Sequence, residues 1–153
     1  MDLNKWKGVL GEEYVLLITA HYEVAKLLDS LPENDFVFNA FGYPELNDLL
    51  KVADILISDY SSVVFNYAIL ERPIYCYGYD YEEYLAQRGF YTDINQLFCD
   101  GVIREEETLI HRIAHIDYNA QCMFTRENIK EKYIAACGDA ARKSVEIIFG
   151  QKK

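Results

Sequence analysis

"VADILISDYSSVVFNYAILERPIYCYGYD", Val52 to Asp80, joins an apolar run, a polar knot and a second apolar run end to end. The first run, "DILISD", carries Ile55, Leu56 and Ile57 in succession, so both of its faces are apolar. A strand with one wet face alternates, whereas a continuous apolar strand belongs to the middle of a parallel sheet covered on both sides. Asp59-Tyr60-Ser61-Ser62 then interrupts, and "SSVVFNYAILE" reads as a helix whose free amides Ser61 or Ser62 can cap. Arg72-Pro73 ends that helix, and "IYCYG" is the next strand.

The same alternation extends outward. "DLNKWKGVLG" predicts a helix with Asp2 as N-cap and Gly11 beyond its end. "EYVLLIT" reads as a buried strand, and "HYEVAKLLDSL" as a helix with Val24, Leu27, Leu28 and Leu31 on one face. "DFVFNAF" is a short strand, and "PELNDLLKVAD" a helix with Pro44 in its first turn. "YEEYLAQRG" is a short helix closed by Gly89. From Glu105 the signal is helical only. "EEETLIHRIAHI" aligns Leu109, Ile110, Ile113 and Ile116, and "TRENIKEKYIAAC" and "AARKSVEIIFG" follow. Strand-helix alternation at this spacing predicts a Rossmann-like α/β fold with right-handed crossovers, a parallel sheet and helices on both faces. The expected organisation is one domain over residues 1–153, with a helical tail over about 105–150.

Composition sets limits on partners. The 153 residues suffice for one buried core, and 51% are hydrophobic against 26% charged, an ordinary globular balance. The net charge of −10 disfavours non-specific binding of nucleic acid or anionic lipid. Cys76, Cys99, Cys122 and Cys137 form no CxxC pair, and no apolar run is long enough to span a bilayer. Reduced structural thiols in a cytoplasmic protein are the expectation. His111 and His115 stand at i, i+4, a spacing that can bind metal. No third ligand stands near in sequence, and the pair reads as part of a solvated face. Glu105, Glu106 and Glu107 read likewise as solvated charge at a helix start. Neither a cofactor nor a metal is implied.

Ligands of open α/β sheets bind beyond the carboxyl ends of the strands, where helix amides point outward. The polar knot falls at that edge, where small hydroxyls and free N–H groups suit a phosphate or diphosphate. From spacing alone the cluster reads equally as a plain helix cap or as a phosphate cradle. No GxGxxG, GKS/GKT or GxSxG pattern is present. His21 follows the "YVLLITA" strand and is expected at the same edge, as a phosphate donor or acid.

These residues resemble a family. The DYSS of Asp59 to Ser62, Arg72-Pro73, the acidic-tyrosine segment Asp80 to Tyr84 and the RGFY of Arg88 to Tyr91 together look like the C-terminal half of CDP-glycerol glycerophosphotransferases, the teichoic acid primases and polymerases. His21 aligns with the family's histidine, and "YIAACGDAARKSVEII" resembles its closing helix. The resemblance implies the nucleotide-binding half of a two-lobed GT-B architecture, with an N-terminal lobe absent from this chain. That lobe carries a further histidine, expected as the base for the acceptor hydroxyl.

The implied reaction transfers glycerol phosphate from CDP-glycerol, or the ribitol equivalent from CDP-ribitol, to a polyol-phosphate or lipid-linked saccharide, releasing CMP. His21 is the implied catalytic residue. Asp59, Tyr60, Ser61 and Ser62 are the implied donor-binding set, with Asp59 orienting the loop and Tyr60 packed on the nucleotide or on the core. The implied location is the cytoplasm, with peripheral attachment at the inner membrane face.

The chain departs from the family pattern in three places. Thr19-Ala20-His21-Tyr22 replaces an Arg-x-His-Pro, Asn66 replaces an aspartate, and "LFCDG" replaces a Pro-Gly while keeping Gly101. The alternatives are a degenerate module that binds a nucleotide or a partner without turnover, and a related lobe that takes another nucleotide donor.

Overall fold

The computed structural model describes residues 1–20, 31, 34–135 and 138–150. Asp2 opens the first helix, α1 (Leu3–Leu10), by accepting from the Asn4 and Lys5 amides, and the Gly11 N–H closes it on the Lys7 carbonyl. Strand β1 (Leu16–Ile18) pairs in parallel with β2 (Val37–Asn39), with Leu17 opposite Phe38. Helix α2 (Leu46–Val52) leads to β3 (Leu56–Ser58), α3 (Val63–Ala68), β4 (Ile74–Tyr77), α4 (Tyr81–Gln87) and β5 (Val102–Ile103). Strands β3, β4 and β5 are parallel neighbours in that order. The helix expected in "HYEVAKLLDSL" and His21, the expected catalytic residue, lie outside the described residues, apart from Leu31.

The parallel α/β reading holds, with two refinements. Hydrogen bonds divide the strands into a pair and a triplet. Between the two groups lies a cavity of about 570 Å³, lined by Leu16, Ile18, Phe36, Leu49, Ile57 and Leu109 among others. Strand β5 was not expected, because two residues are too few to show a period.

Ile74 to Cys76 of β4 and both residues of β5 are buried and β3 is half-buried, so neither face of β3 or β4 is left open to water and both read as unbroken apolar runs. Along β4 and β5, Ile74, Cys76 and Val102 join a core with Val64, Tyr67 and Ile129. Their neighbours Tyr75 and Ile103 join the other core with Trp6, Leu109 and Ile113. Leu16 and Ile18 of β1 and Ile55 and Ile57 pack on this second core, so the two strand groups share it.

Beyond Glu105 the chain is helical, as expected: α5 (Glu106–Ala114), α6 (Tyr118–Thr125), a π-helical turn (Arg126–Lys130), α7 (Glu131–Tyr133) and α8 (Ala140–Phe149). The helix expected from Thr125 begins earlier, because the Asp117 carboxylate accepts from the Ala120 amide at 3.0 Å. Glu106 is not merely solvated charge. Its Oε1 accepts from the Trp6 indole at 2.8 Å and from the Asp2 amide at 2.7 Å, tying α1 to α5. Glu107 pairs with Lys5 beside it. Among the described residues no helix is long and apolar enough to cross a membrane.

Candidate functional site

The carboxyl end of β3 delivers Ser58 to the polar knot, and the knot folds on itself before the next helix starts. Asp59 Oδ1 accepts from the Ser61 amide at 3.0 Å, and Ser61 Oγ accepts from the Val63 amide at 3.3 Å. The result is a turn held by short polar side chains, with α3 beginning at Val63. The helix thus starts two residues later than the one expected from Ser61. The Ser61 amide is taken by Asp59. Ser61 Oγ, having accepted, keeps its own O–H free to donate outward. Ser62 occupies the N-cap position but its hydroxyl makes no capping bond, and both serines are exposed.

The turn is pinned from behind. The buried Cys76 thiol donates to the Asp59 carbonyl at 3.5 Å, and burial pushes that thiol up to about 12, so it stays protonated. The Tyr60 hydroxyl donates to Asp80 Oδ1 at 2.9 Å. Burial first, and then the bond to Asp80, hold the Tyr60 phenol well above its ordinary range. Its ring packs at 4.3 Å from Tyr84 and 5.3 Å from Phe90, centroid to centroid. Tyr81 stacks on Phe90 at 5.8 Å, and Arg104, which follows β5, lies over the Tyr81 ring while pairing with Glu82 at 2.9 Å. The tertiary fold thus joins the DYSS and RGFY segments, which the sequence keeps apart, through Tyr60 and Phe90.

Gly78, at the end of β4, makes room for this arrangement. A Cβ there would stand 2.5 Å from the Tyr60 hydroxyl and 2.6 Å from Val102 Cγ1. Asp80, Gly78, Cys76 and Arg104 were not singled out from the sequence as site residues. The Gly that ends "IYCYG" is the one available signal, since a glycine at a strand end marks close approach by a neighbour.

Arg72 serves the opposite end of the fold. Its guanidinium donates to the Lys51 carbonyl at 2.8 Å and the Ala53 carbonyl at 2.6 Å, closing the end of α2. Tyr67 donates to the same Ala53 carbonyl at 2.9 Å. The Arg-Pro of the motif is therefore a structural element. His111 and His115 stack at 4.2 Å on the exposed side of α5, and among the described residues no group of three metal-ligating side chains forms. The expected site residues therefore divide. Asp59, Tyr60, Ser61 and Ser62 form one turn, and His21 lies outside the described residues.

The fold and the turn define a Rossmann-like α/β lobe with exposed hydroxyls at the carboxyl edge of its strands, where such folds take their ligands. The chain belongs to the CDP-glycerol:poly(glycerophosphate) glycerophosphotransferase family, whose model matches residues 1–150. It is 33% identical to a teichoic acid poly(glycerol phosphate) polymerase of Bacillus subtilis, over 97% of this chain and 20% of that protein. It is 30% identical to a teichoic acid glycerol-phosphate transferase of Staphylococcus aureus, over 97% of this chain and 38% of that protein. Its fold is similar to that of the wall teichoic acid polymerase TagF, in a histidine-to-asparagine variant soaked with CDPG. The TM-score is 0.78 at 27% identity, over 96% of this chain and 37% of that one. The chain thus spans well under half the length of each of these relatives.

Proposed function

We propose that this chain is the donor-binding lobe of a glycerophosphotransferase, over residues 1–153, and that its Ser61–Ser62 turn holds the diphosphate of CDP-glycerol. In the proposed reaction an acceptor hydroxyl, on a polyol phosphate or lipid-linked saccharide, attacks the glycerol-bearing β-phosphorus. The bond from that phosphorus to the bridging oxygen breaks and CMP departs with the electron pair. Charge grows on the bridging oxygen and on the equatorial oxygens, so hydroxyl donors fixed in advance stabilise the transition state more than water does.

The observation that carries this reading is the Ser61–Ser62 turn, with both serines exposed at the carboxyl edge of β3, in a chain matched by the family along residues 1–150. Asp59 serves as loop orienter, because its carboxylate is already engaged by the Ser61 amide. A carboxylate left free beside a diphosphate would repel it. His21 retains the catalytic role that the family resemblance assigns, as acid or phosphate donor. The acceptor base, a second lobe and a cytoplasmic location at the inner membrane face belong to the same proposal. Thr19-Ala20-His21-Tyr22, in place of Arg-x-His-Pro, favours a second reading, in which the lobe binds nucleotide without turnover.

Titration calorimetry with CDP tests the site. The wild-type chain is expected to bind CDP. Ser61→Ala/Ser62→Ala is expected to bind at least about 100-fold more weakly, the loss of two charge-assisted hydrogen bonds at about 1.5–3 kcal/mol each. Equal binding by the double variant would remove the turn from the site. Equal affinity for CDP, UDP and GDP would show that the lobe reads the diphosphate and not the cytosine.

A further inference from the structure

Two serine hydroxyls can serve a diphosphate only while the turn that carries them keeps its orientation. The turn's own hydrogen bonds run from the Ser61 amide to Asp59, from the Val63 amide to Ser61 and from the Phe65 amide to the Ser62 carbonyl, and none of these ties it to β4. Tyr60 supplies such a tie and points the other way. Its hydroxyl reaches Asp80 at 2.9 Å, on the loop after β4, and its ring is held among Tyr84, Phe90 and Tyr81. Gly78 leaves open the space that the hydroxyl fills. Residues on both sides of the Tyr60 amide are thereby fixed to β4 or to the loop beyond it, Asp59 through Cys76 and Tyr60 through Asp80.

We propose that Tyr60 is a positioning residue for the donor site: its hydrogen bond to Asp80 sets the aim of the Ser61 and Ser62 hydroxyls at the donor's diphosphate. The proposal rests on the donor-binding reading and deepens it. Tyr60 then needs no contact with the nucleotide. Its effect on affinity is limited by the population of the aligned turn that the hydrogen bond maintains. A neutral hydrogen bond is worth about 1 kcal/mol net, so freeing the turn lowers affinity about fivefold.

The test is CDP calorimetry on the whole chain, well below each variant's unfolding midpoint, with the folded fraction checked by circular dichroism. Tyr60→Phe keeps the ring and is expected to bind CDP about fivefold more weakly. Asp80→Ala is expected to match it and leaves the aromatic cluster whole, so it gives the same readout if Tyr60→Phe folds poorly. The double variant should be no weaker than either single one, because both remove one bond. Asp80→Asn keeps an acceptor oxygen and should restore near wild-type affinity. A lowered unfolding midpoint with unchanged CDP affinity in Tyr60→Phe and Asp80→Ala would overturn the proposal, as would additive losses in the double variant. If the wild-type chain does not bind CDP, the donor-binding reading falls and takes this inference with it. If the wild type binds and the Ser61→Ala/Ser62→Ala loss is seen without a Tyr60 effect, this inference alone falls.

Discussion

Replacing Gly78 with alanine probes the join between the two halves of the motif. The added Cβ would meet the Tyr60 hydroxyl at 2.5 Å, Val102 Cγ1 at 2.6 Å and Tyr60 Cε1 at 3.0 Å. The β4 backbone cannot simply retreat, because the Gly78 N–H is bonded to the Ile103 carbonyl at 2.8 Å. Relief must come from Tyr60, by breaking its bond to Asp80 and tilting its ring off Tyr84 and Phe90. Overpacking of this kind costs about 1–3 kcal/mol. The lost hydrogen bond adds about 1 kcal/mol. Thermal unfolding followed by circular dichroism should show a midpoint lower by about 5–12 °C for a chain of this size.

Gly101→Ala is the control. Gly101 has φ +65° but nothing nearer than 3.5 Å to a new Cβ, so it bears only the left-handed backbone cost of about 1–2 kcal/mol. Adding Tyr60→Phe to Gly78→Ala removes the 2.5 Å contact and should recover part of the loss, while the Val102 contact remains. If Gly78→Ala loses no more than Gly101→Ala, or if the Tyr60→Phe loss simply adds to that of Gly78→Ala, Tyr60 is not wedged against β4 and the join has been misread.

Two further outcomes are expected. Arg72→Ala removes charge-assisted bonds to the Lys51 and Ala53 carbonyls and should cost about 1.5–3 kcal/mol in denaturant unfolding, leaving CDP affinity at the wild-type value; a loss of affinity would place Arg72 at the site. The hydrogen bond from Lys130 holds the Glu71 carboxyl below its ordinary value, against the smaller opposing effect of burial. A depressed folded-state pKa gives stability that is present above the ordinary carboxylate value and is lost as pH falls through the depressed one. Lys130→Met should therefore lie below wild type in midpoint near neutral pH and converge on it in acid. A gap of constant size across that range would refute the assignment.

Much of the architecture is legible from residue order. Continuous apolar runs in "DILISD" and "IYCYG" indicate a sheet covered on both faces, because only such burial removes the need for alternation. Asp2 and Gly11 mark the ends of α1 for local reasons: a carboxylate near free amides, and a glycine beside the last carbonyls. The Ser61–Ser62 turn is legible for the same reason, since its hydrogen bonds run between residues two apart. Strand β5 is not legible, because its identity rests on pairing with β4 and not on a pattern of its own. Glu106 reads as solvated charge until Trp6, 100 residues away, is brought against it.

The sequence by itself determined the strand-helix alternation, the place of the hydroxyl-bearing turn and, through its motifs, the family. Each of these rests on short-range chemistry or on residue identity, which order alone records. Only the tertiary structure decided what the motif residues do. Arg72 closes a helix end, Cys76 and Asp80 hold the turn from behind, and Tyr60 turns away from the exposed edge to meet Phe90. Those roles depend on contacts between residues 17 to 30 positions apart, which exist only once β3 and β4 lie side by side.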